Sequence, residues 1–297
     1  MNRCARLCFF VLPFISVPLS FMGCASTPER PPLAQKWDNA RHKSYQLLKN
    51  CQLQQALEQT GEMLRLAQLR DDRLAMAESL RDLANVSMEL GDFRAADEWF
   101  LQSALKYRRL GDAVGLLEVD IGRGIIQLML GNLEQGIDRL EKALPRTDQL
   151  QGGADSLRVT IHNGLAMAKR RRGQLAEALE HLVDAENFAR RAEGTPQLAT
   201  TLMNRSRVLF DRGEIFAAEV AVTQALDLDR GAENIRGTVS DLVMMASIAE
   251  KRGMLVEARD HWLQAVVVFE HCGLAKERDA SQAQAEIISQ QLRQAPP

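Results

Sequence analysis

The chain repeats one arrangement of apolar, small and polar positions about every forty residues. The segments MELGDFRAADEWFLQSAL (88–105), LMLGNLEQGIDRLEKAL (128–144), RRRGQLAEALEHLVDAEN (170–187), FDRGEIFAAEVAVTQAL (210–226) and EKRGMLVEARDHWLQAV (250–266) align without gaps. Each has a Gly, a turn residue and an apolar residue, then a small residue five after the Gly, a large one nine after and a small one twelve after. The turn glycines are Gly91, Gly131, Gly173, Gly213 and Gly253, spaced by 40, 42, 40 and 40. A sixth copy, LKNCQLQQALEQTGEML (48–64), has Cys51 in the glycine place. A second ladder of breaks lies midway, at Asp71-Asp72, Gly111-Asp112, Gly152-Gly153, Gly194-Thr195-Pro196, a stretch near 231–234, and Gly273. Each period therefore predicts two helices of roughly 16–18 residues joined by tight turns.

Physical chemistry accounts for each place in the pattern. Glycine adopts the left-handed conformation that ends a helix. Asp92, Asp112 and Asn132 are expected to cap the next helix, and Thr195 stands as a cap before Pro196 at the first helical position. The small pairs Ala96 and Ser103, Gly136 and Ala143, Ala178 and Ala185, Ala218 and Ala225, and Ala258 and Ala265 let two helices approach. Phe100, Leu140, Leu182, Val222 and Trp262 fill the layer between them, since spacings of four and three share one face. After Gly273 one more amphipathic helix is expected, with Ala280, Ala283, Ile287 and Leu292 inward. It would cover the open end of the last repeat.

This small–large–small pattern resembles the tetratricopeptide repeat over residues 36–272, in a long-helix variety with 40 residues per unit rather than 34. The resemblance implies an all-α, right-handed superhelical solenoid of about six helix pairs (36–273) plus a C-terminal capping helix and short tail (274–297). It also implies that positions 13, 10, 6, 3 and 2 before each turn glycine line a concave groove. Mapped onto this chain, the groove candidates are Arg81, Asn85, Ile125, Asn163, Met167, Arg170, Met203, Arg207 and Phe210, with Asn204 beside them. Asn side chains donate and accept at once, and Met adapts to varied shapes, so an extended peptide or a partner helix is the expected occupant. Each candidate either meets a partner or packs between neighbouring helices, and the sequence leaves both open. The family's carboxylate clamp is not expected, because Gly122 stands where its second Asn belongs.

The first thirty residues differ in character. Arg3 and Arg6 precede an apolar run of 15 residues, Leu7–Phe21, interrupted by Pro13 and Pro18. About 20 apolar residues are needed to span a bilayer, so a cleaved secretory signal (1–23) is expected instead. Phe21-Met22-Gly23-Cys24 resembles a bacterial lipobox, though Phe21 and Met22 depart from the usual Leu and small residue. The resemblance implies cleavage between Gly23 and Cys24 and acylation of Cys24. Ala25, where an Asp would favour inner-membrane retention, implies an outer-membrane lipoprotein facing the periplasm. Residues 24–35, with Pro28, Pro31 and Pro32, read as the lipidated Cys and a Pro-rich tether.

Composition narrows the function further. The formal net charge is −2, and removing residues 1–23 takes away two basic residues and no acid. Aromatics make up 5% of the chain. Neither value suits a nucleic-acid partner. Of five Cys, Cys4 and Cys8 leave with the signal and Cys24 carries lipid. Cys51 and Cys272 stand near opposite ends. In an elongated solenoid they would lie beyond disulfide reach, so buried free thiols, or exceptionally an intermolecular link, are expected. The five His (42, 162, 181, 261, 271) are scattered and read as surface or interhelix residues. No HExxH, GxSxG, GxGxxG or Walker motif occurs, so no catalytic residue, metal or cofactor is expected. Lys169 to Arg172 sit at a helix C-terminus, where the helix dipole favours them. The whole reads as a non-enzymatic protein–protein interaction scaffold, or alternatively as a regulatory subunit of an envelope enzyme or an assembly factor for an outer-membrane, pilus or export machine.

Overall fold

The computed structural model describes residues 31–150 and 152–294. The expected signal peptide, the Gly23–Cys24 cleavage site and most of the tether lie outside the described residues. Thirteen α-helices and one 3-10 turn make up the secondary structure of the described chain. They form six consecutive hairpins: α1 (Pro32–Lys49) with α2 (Leu53–Leu69), α3 (Arg73–Glu89) with α4 (Phe93–Leu110), and α5 (Ala113–Met129) with α6 (Leu133–Ala143). Next come α7 (Ala154–Arg171) with α8 (Leu175–Arg191), α9 (Thr195–Asp211) with α10 (Ile215–Gly231), and α11 (Ile235–Lys251) with α12 (Leu255–His271). A last helix, α13 (Ala275–Gln294), packs on α12. The all-α solenoid of six helix pairs and a cap is as expected.

The turn ladder has a single cause. Cys51, Gly91, Gly131, Gly173, Gly213 and Gly253 all have φ between 60° and 86°. The second ladder is left-handed too, at Asp71, Gly111, Gly153, Glu193, Glu233 and Gly273. One break falls on Glu193 rather than Gly194, and another on Glu233, inside the expected stretch 231–234, even though the left-handed region is unfavourable for side-chain-bearing residues. Gly194 is instead the N-cap of α9, and Thr195 is its first residue. Asp92 and Asp112 do cap, accepting from Ala95 N (3.0 Å) and Gly115 N (2.9 Å). Asn132 does not cap, because its Nδ2 donates back to Gln127 Oε1 at 2.9 Å.

The predicted triad is the interhelix layer. Ala96, Ser103, Ala143, Ala178, Ala185, Ala218, Ala225, Ala258 and Ala265 are each 0% exposed, with Phe100, Leu140, Leu182 and Val222 at 1% or less between them. Each such large side chain contributes about 1.5–3 kcal/mol by leaving water. A matching small position lies on the first helix of each pair, seven residues before the turn. It holds Ser44, Ala84, Gly124, Ala166, Ser206 and Ala246, all buried. Ser44 and Ser206 donate to the carbonyls of Ala56 (3.3 Å) and Ala218 (2.7 Å), tying the two helices of their pairs.

Three departures are local, and Gly122 has a packing cause. Proline is tolerated in a first helical turn, so α1 begins at Pro32, and Ala34 is buried rather than part of a tether. Helix α6 stops at Ala143, and a 3-10 turn, Leu144–Gln149, follows, because Pro145 supplies no N–H. The inward face of α13 is Ser281, Ala285 and Ile288, with Leu292 packed beside them. Ala280, Ala283 and Ile287 are exposed, one residue out of phase with expectation. Gly122 makes room for a neighbour, since a Cβ there would collide with the Phe100 ring.

The largest departure is topological. Cys51 and Cys272 form a disulfide, with Cα atoms 4.9 Å apart across 221 residues of sequence. Small rotations between successive hairpins add up, so the sixth pair returns to the first. Helix α11 packs against α1, and Arg236 on α11 forms an ion pair with Glu89 at the end of α3. The two thiols are therefore neither free nor intermolecular.

Closing so long a loop constrains the unfolded chain, by about 2–5 kcal/mol. Replacing both cysteines by Ser is expected to lower the Tm of thermal unfolding, and non-reducing peptide mapping of the wild type should recover the linked Cys51 and Cys272 peptides. Gly122→Ala should destabilise by about 1–3 kcal/mol in denaturant titration, through overpacking against Phe100.

Candidate functional site

The first helices of pairs three, four and five, α5, α7 and α9, line a cavity of about 380 Å³. Its apolar wall is Ile125, Val159, Met167 and Pro196, and its polar groups are Thr160, Asn163, Gln197, Thr200 and Asn204. Among the described residues, no ionisable side chain lines it. Gly164 completes the wall, since a Cβ there would press Leu140 Cδ1 at 2.7 Å. Four of the ten sequence-predicted groove residues thus meet here: Ile125, Asn163, Met167 and Asn204.

The two asparagines are joined across helices. Asn204 Nδ2 donates to Asn163 Oδ1 at 3.0 Å, and Asn163 Nδ2 donates to Thr201 Oγ1 at 2.9 Å. Each amide has two N–H donors and one oxygen acceptor. The pair so arranged retains Asn204 Oδ1 and one N–H on each amide for a ligand. The hydroxyls of Thr160 and Thr200 donate to helix carbonyls at 3.2 and 3.0 Å, leaving their oxygens as acceptors. Such a wall, apolar with neutral donors and acceptors, matches a peptide backbone carrying apolar side chains. It offers nothing for proton transfer.

The other six candidates lie elsewhere. Met203 is 6% exposed and belongs to the core around Leu202, Leu209 and Val222, so it is not a groove residue. Ile121, at the same position in the third pair, is buried in the same way, whereas Asn163, its counterpart in the fourth pair, reaches the cavity. Phe210 packs on that same core. Arg81 binds Asp82 at 2.9 Å and also Glu118. Burial opposes its charge, but Asp82, Tyr107 and Glu118 outweigh burial and raise its pKa. Asn85 lines a separate recess of about 240 Å³ with Arg41, Tyr45 and Leu48 and is exposed there. Arg170 pairs with Asp211 at 2.6 Å. Its basic neighbours are spoken for as well: Lys169 pairs with Glu177 at 2.6 Å, Arg172 with Glu134, and Arg171 donates to the Leu128 carbonyl. The cluster clamps the end of α7 to four neighbouring helices, which the dipole argument alone did not anticipate. Pro196 and Gln197 were missed because the family mapping stops thirteen residues before the turn, and they stand in the first turn of α9.

Arg207 is half-buried beside a second polar feature. Asp241 on α11 is 1% exposed and Asp229 on α10 is 4% exposed. Asn234 Nδ2 donates to Asp229 at 2.9 Å, while among the described residues no donor reaches Asp241 except a proton shared with Asp229. Burial, then the Asp229 charge, pushes the Asp241 carboxyl up to about 8, against the opposing pull of Arg207 and Arg230. Burial, then Arg170, lowers the Arg207 pKa, while Asp241 raises it.

A family profile described as Tetratricopeptide repeat matches residues 115–191 and 157–231, which covers pairs three to five and the whole cavity. The chain therefore carries tetratricopeptide repeats there. Its fold is similar to that of NprR in complex with its cognate peptide NprX (TM-score 0.62, 14% identity, 89% of this chain and 74% of that one). A Rap protein complexed with competence and sporulation factor is also similar (TM-score 0.60, 14% identity, 85% and 80%). So is a thermophilic tetratricopeptide-repeat protein of Thermus thermophilus (TM-score 0.53, 21% identity, 71% and 99%). No curated protein sequence matches the chain significantly.

A carboxyl with a higher pKa folded than unfolded makes stability fall as pH rises between the two values, here from 3.8 to about 8. Asp241→Asn keeps a donor toward Asp229 and removes the buried charge. It should stabilise the protein at pH 8 by on the order of 1–3 kcal/mol and flatten Tm against pH over that window.

Proposed function

We propose that the chain is a non-enzymatic interaction scaffold that holds an extended peptide segment of a protein partner in the α5–α7–α9 cavity. The observation that carries this reading is the Asn163–Asn204 pair, with open amide groups set in an uncharged, largely apolar wall. Backbone amides of a bound strand would pair with these groups, and Ile125, Met167 and Val159 would receive its apolar side chains. One structure of similar fold holds its cognate peptide and another a competence and sporulation factor, which supports the same use.

The scaffold is proposed to be tethered in the bacterial envelope through acylated Cys24, on the outer membrane facing the periplasm. Support comes from the lipobox-like Phe21–Cys24 stretch and from the Cys51–Cys272 disulfide, which suits an oxidising compartment. Among the described residues no helix is long and apolar enough to cross a membrane.

The test joins both parts. In-cell photo-crosslinking from Thr200, at the rim of the cavity, should capture a partner. The double variant Asn163→Ala, Asn204→Ala should cut that yield by about 10-fold or more while far-UV circular dichroism stays unchanged. An unchanged yield would refute the cavity as the binding site. Cys24→Ala should abolish incorporation of a palmitate analogue, and persistent labelling would refute the anchor.

A further inference from the structure

Outside the groove, one cluster of side chains has ligand chemistry that the interaction reading does not use. His162 on α7 faces α8, where His181 and Asp184 stand three residues apart on one face. The Nδ1 atoms of the two imidazoles are 3.2 Å apart, and Asp184 Oδ2 is 3.7 Å from His162 Nδ1. One ligand atom from each residue falls within 4.8 Å of the others.

We propose that His162, His181 and Asp184 form a site for a divalent transition metal of the zinc class, bridging the two helices of the fourth pair. Two nitrogens bound at about 2.0–2.1 Å to a tetrahedral centre lie about 3.3 Å apart, close to the separation seen here. Imidazole with one carboxylate selects zinc, cobalt or nickel over calcium or magnesium, which prefer all-oxygen sets. His162 is 6% exposed, whereas Asp184 is exposed, so the site has a dry inner side and an open outer side where water would take the fourth position. The nearby cations are already neutralised: Lys169 by Glu177 (2.6 Å) and Arg158 by Asp155 (2.9 Å) and Asp148 (2.6 Å). Glu141 and Glu180 add negative charge around His181. The Phe188 ring, 5.5 Å from His162, backs the buried imidazole. Because Asn163 follows His162 on α7, a metal here would fix the helix that carries one half of the asparagine pair.

The test uses untagged, disulfide-intact protein stripped with chelator and titrated with Zn²⁺ by calorimetry and with Co²⁺ by absorption. One equivalent should bind, Co²⁺ should give the intense visible bands of tetrahedral coordination, and Zn²⁺ should raise Tm. His181→Gln and Asp184→Ala, each at a partly or fully exposed position and checked for fold by circular dichroism, should weaken Zn²⁺ binding by about 10-fold or more. Absence of stoichiometric binding by the wild type would overturn the proposal. So would affinity that neither substitution changes, since the metal would then sit at other histidines.

Discussion

Everything in this fold depends on two helices being able to approach closely at one repeated place. The second helix of each pair offers a small residue, a large one and a small one. The first helix meets it with a small residue seven before the turn, at Ala84, Gly124, Ala166, Ser206 and Ala246. A methyl group, a hydroxymethyl group or a hydrogen at each of these points sets the interaxial distance, and a single Phe, Leu, Val or Trp fills what remains. Because the same contact recurs from pair to pair, so does the same small rotation between pairs. The groove, the closure and the placement of the cavity are consequences of that repetition.

Closure changes what the groove is. An open solenoid presents its inner face along its whole length, but here α11 returns to α1, and the disulfide joins the first turn to the last. The Arg236–Glu89 ion pair and a recess of about 340 Å³ flanked by Tyr45, Leu48, Pro196 and Ser240 mark the seam. A ligand in the α5–α7–α9 cavity therefore sits within a closed turn. That arrangement favours a thin, extended segment over a bulky folded partner.

The repeat, its two turn ladders and the interhelix triad were legible because they are local and periodic. Closure was not, because it is the sum of rotations that no single repeat encodes, so Cys51 and Cys272 read as distant. Helix α13 was misphased because 280/283/287 and 281/285/288 have similar spacing, and a buried Ser281 looks polar on paper. At the cavity, Ile125, Asn163 and Met167 stand at repeat positions readable from the sequence, with Asn204 next to such a position. Met203 lies in the core because its apolar side chain packs around Val222, and carboxylates of neighbouring pairs hold Arg81 and Arg170. The His162, His181 and Asp184 cluster spans two helices that only the hairpin brings together.

The central claim is that the sixth hairpin returns to the first through packing, with the disulfide as a consequence. Incorporating a photo-crosslinking aromatic residue at Tyr45, in a chain with Cys51 and Cys272 both replaced by Ser, tests it directly. The account predicts intramolecular crosslinks from position 45 to the Arg236–Ser240 segment, identified by mass spectrometry. Crosslinks confined to α2 and α3, or found only between separate molecules, would contradict it.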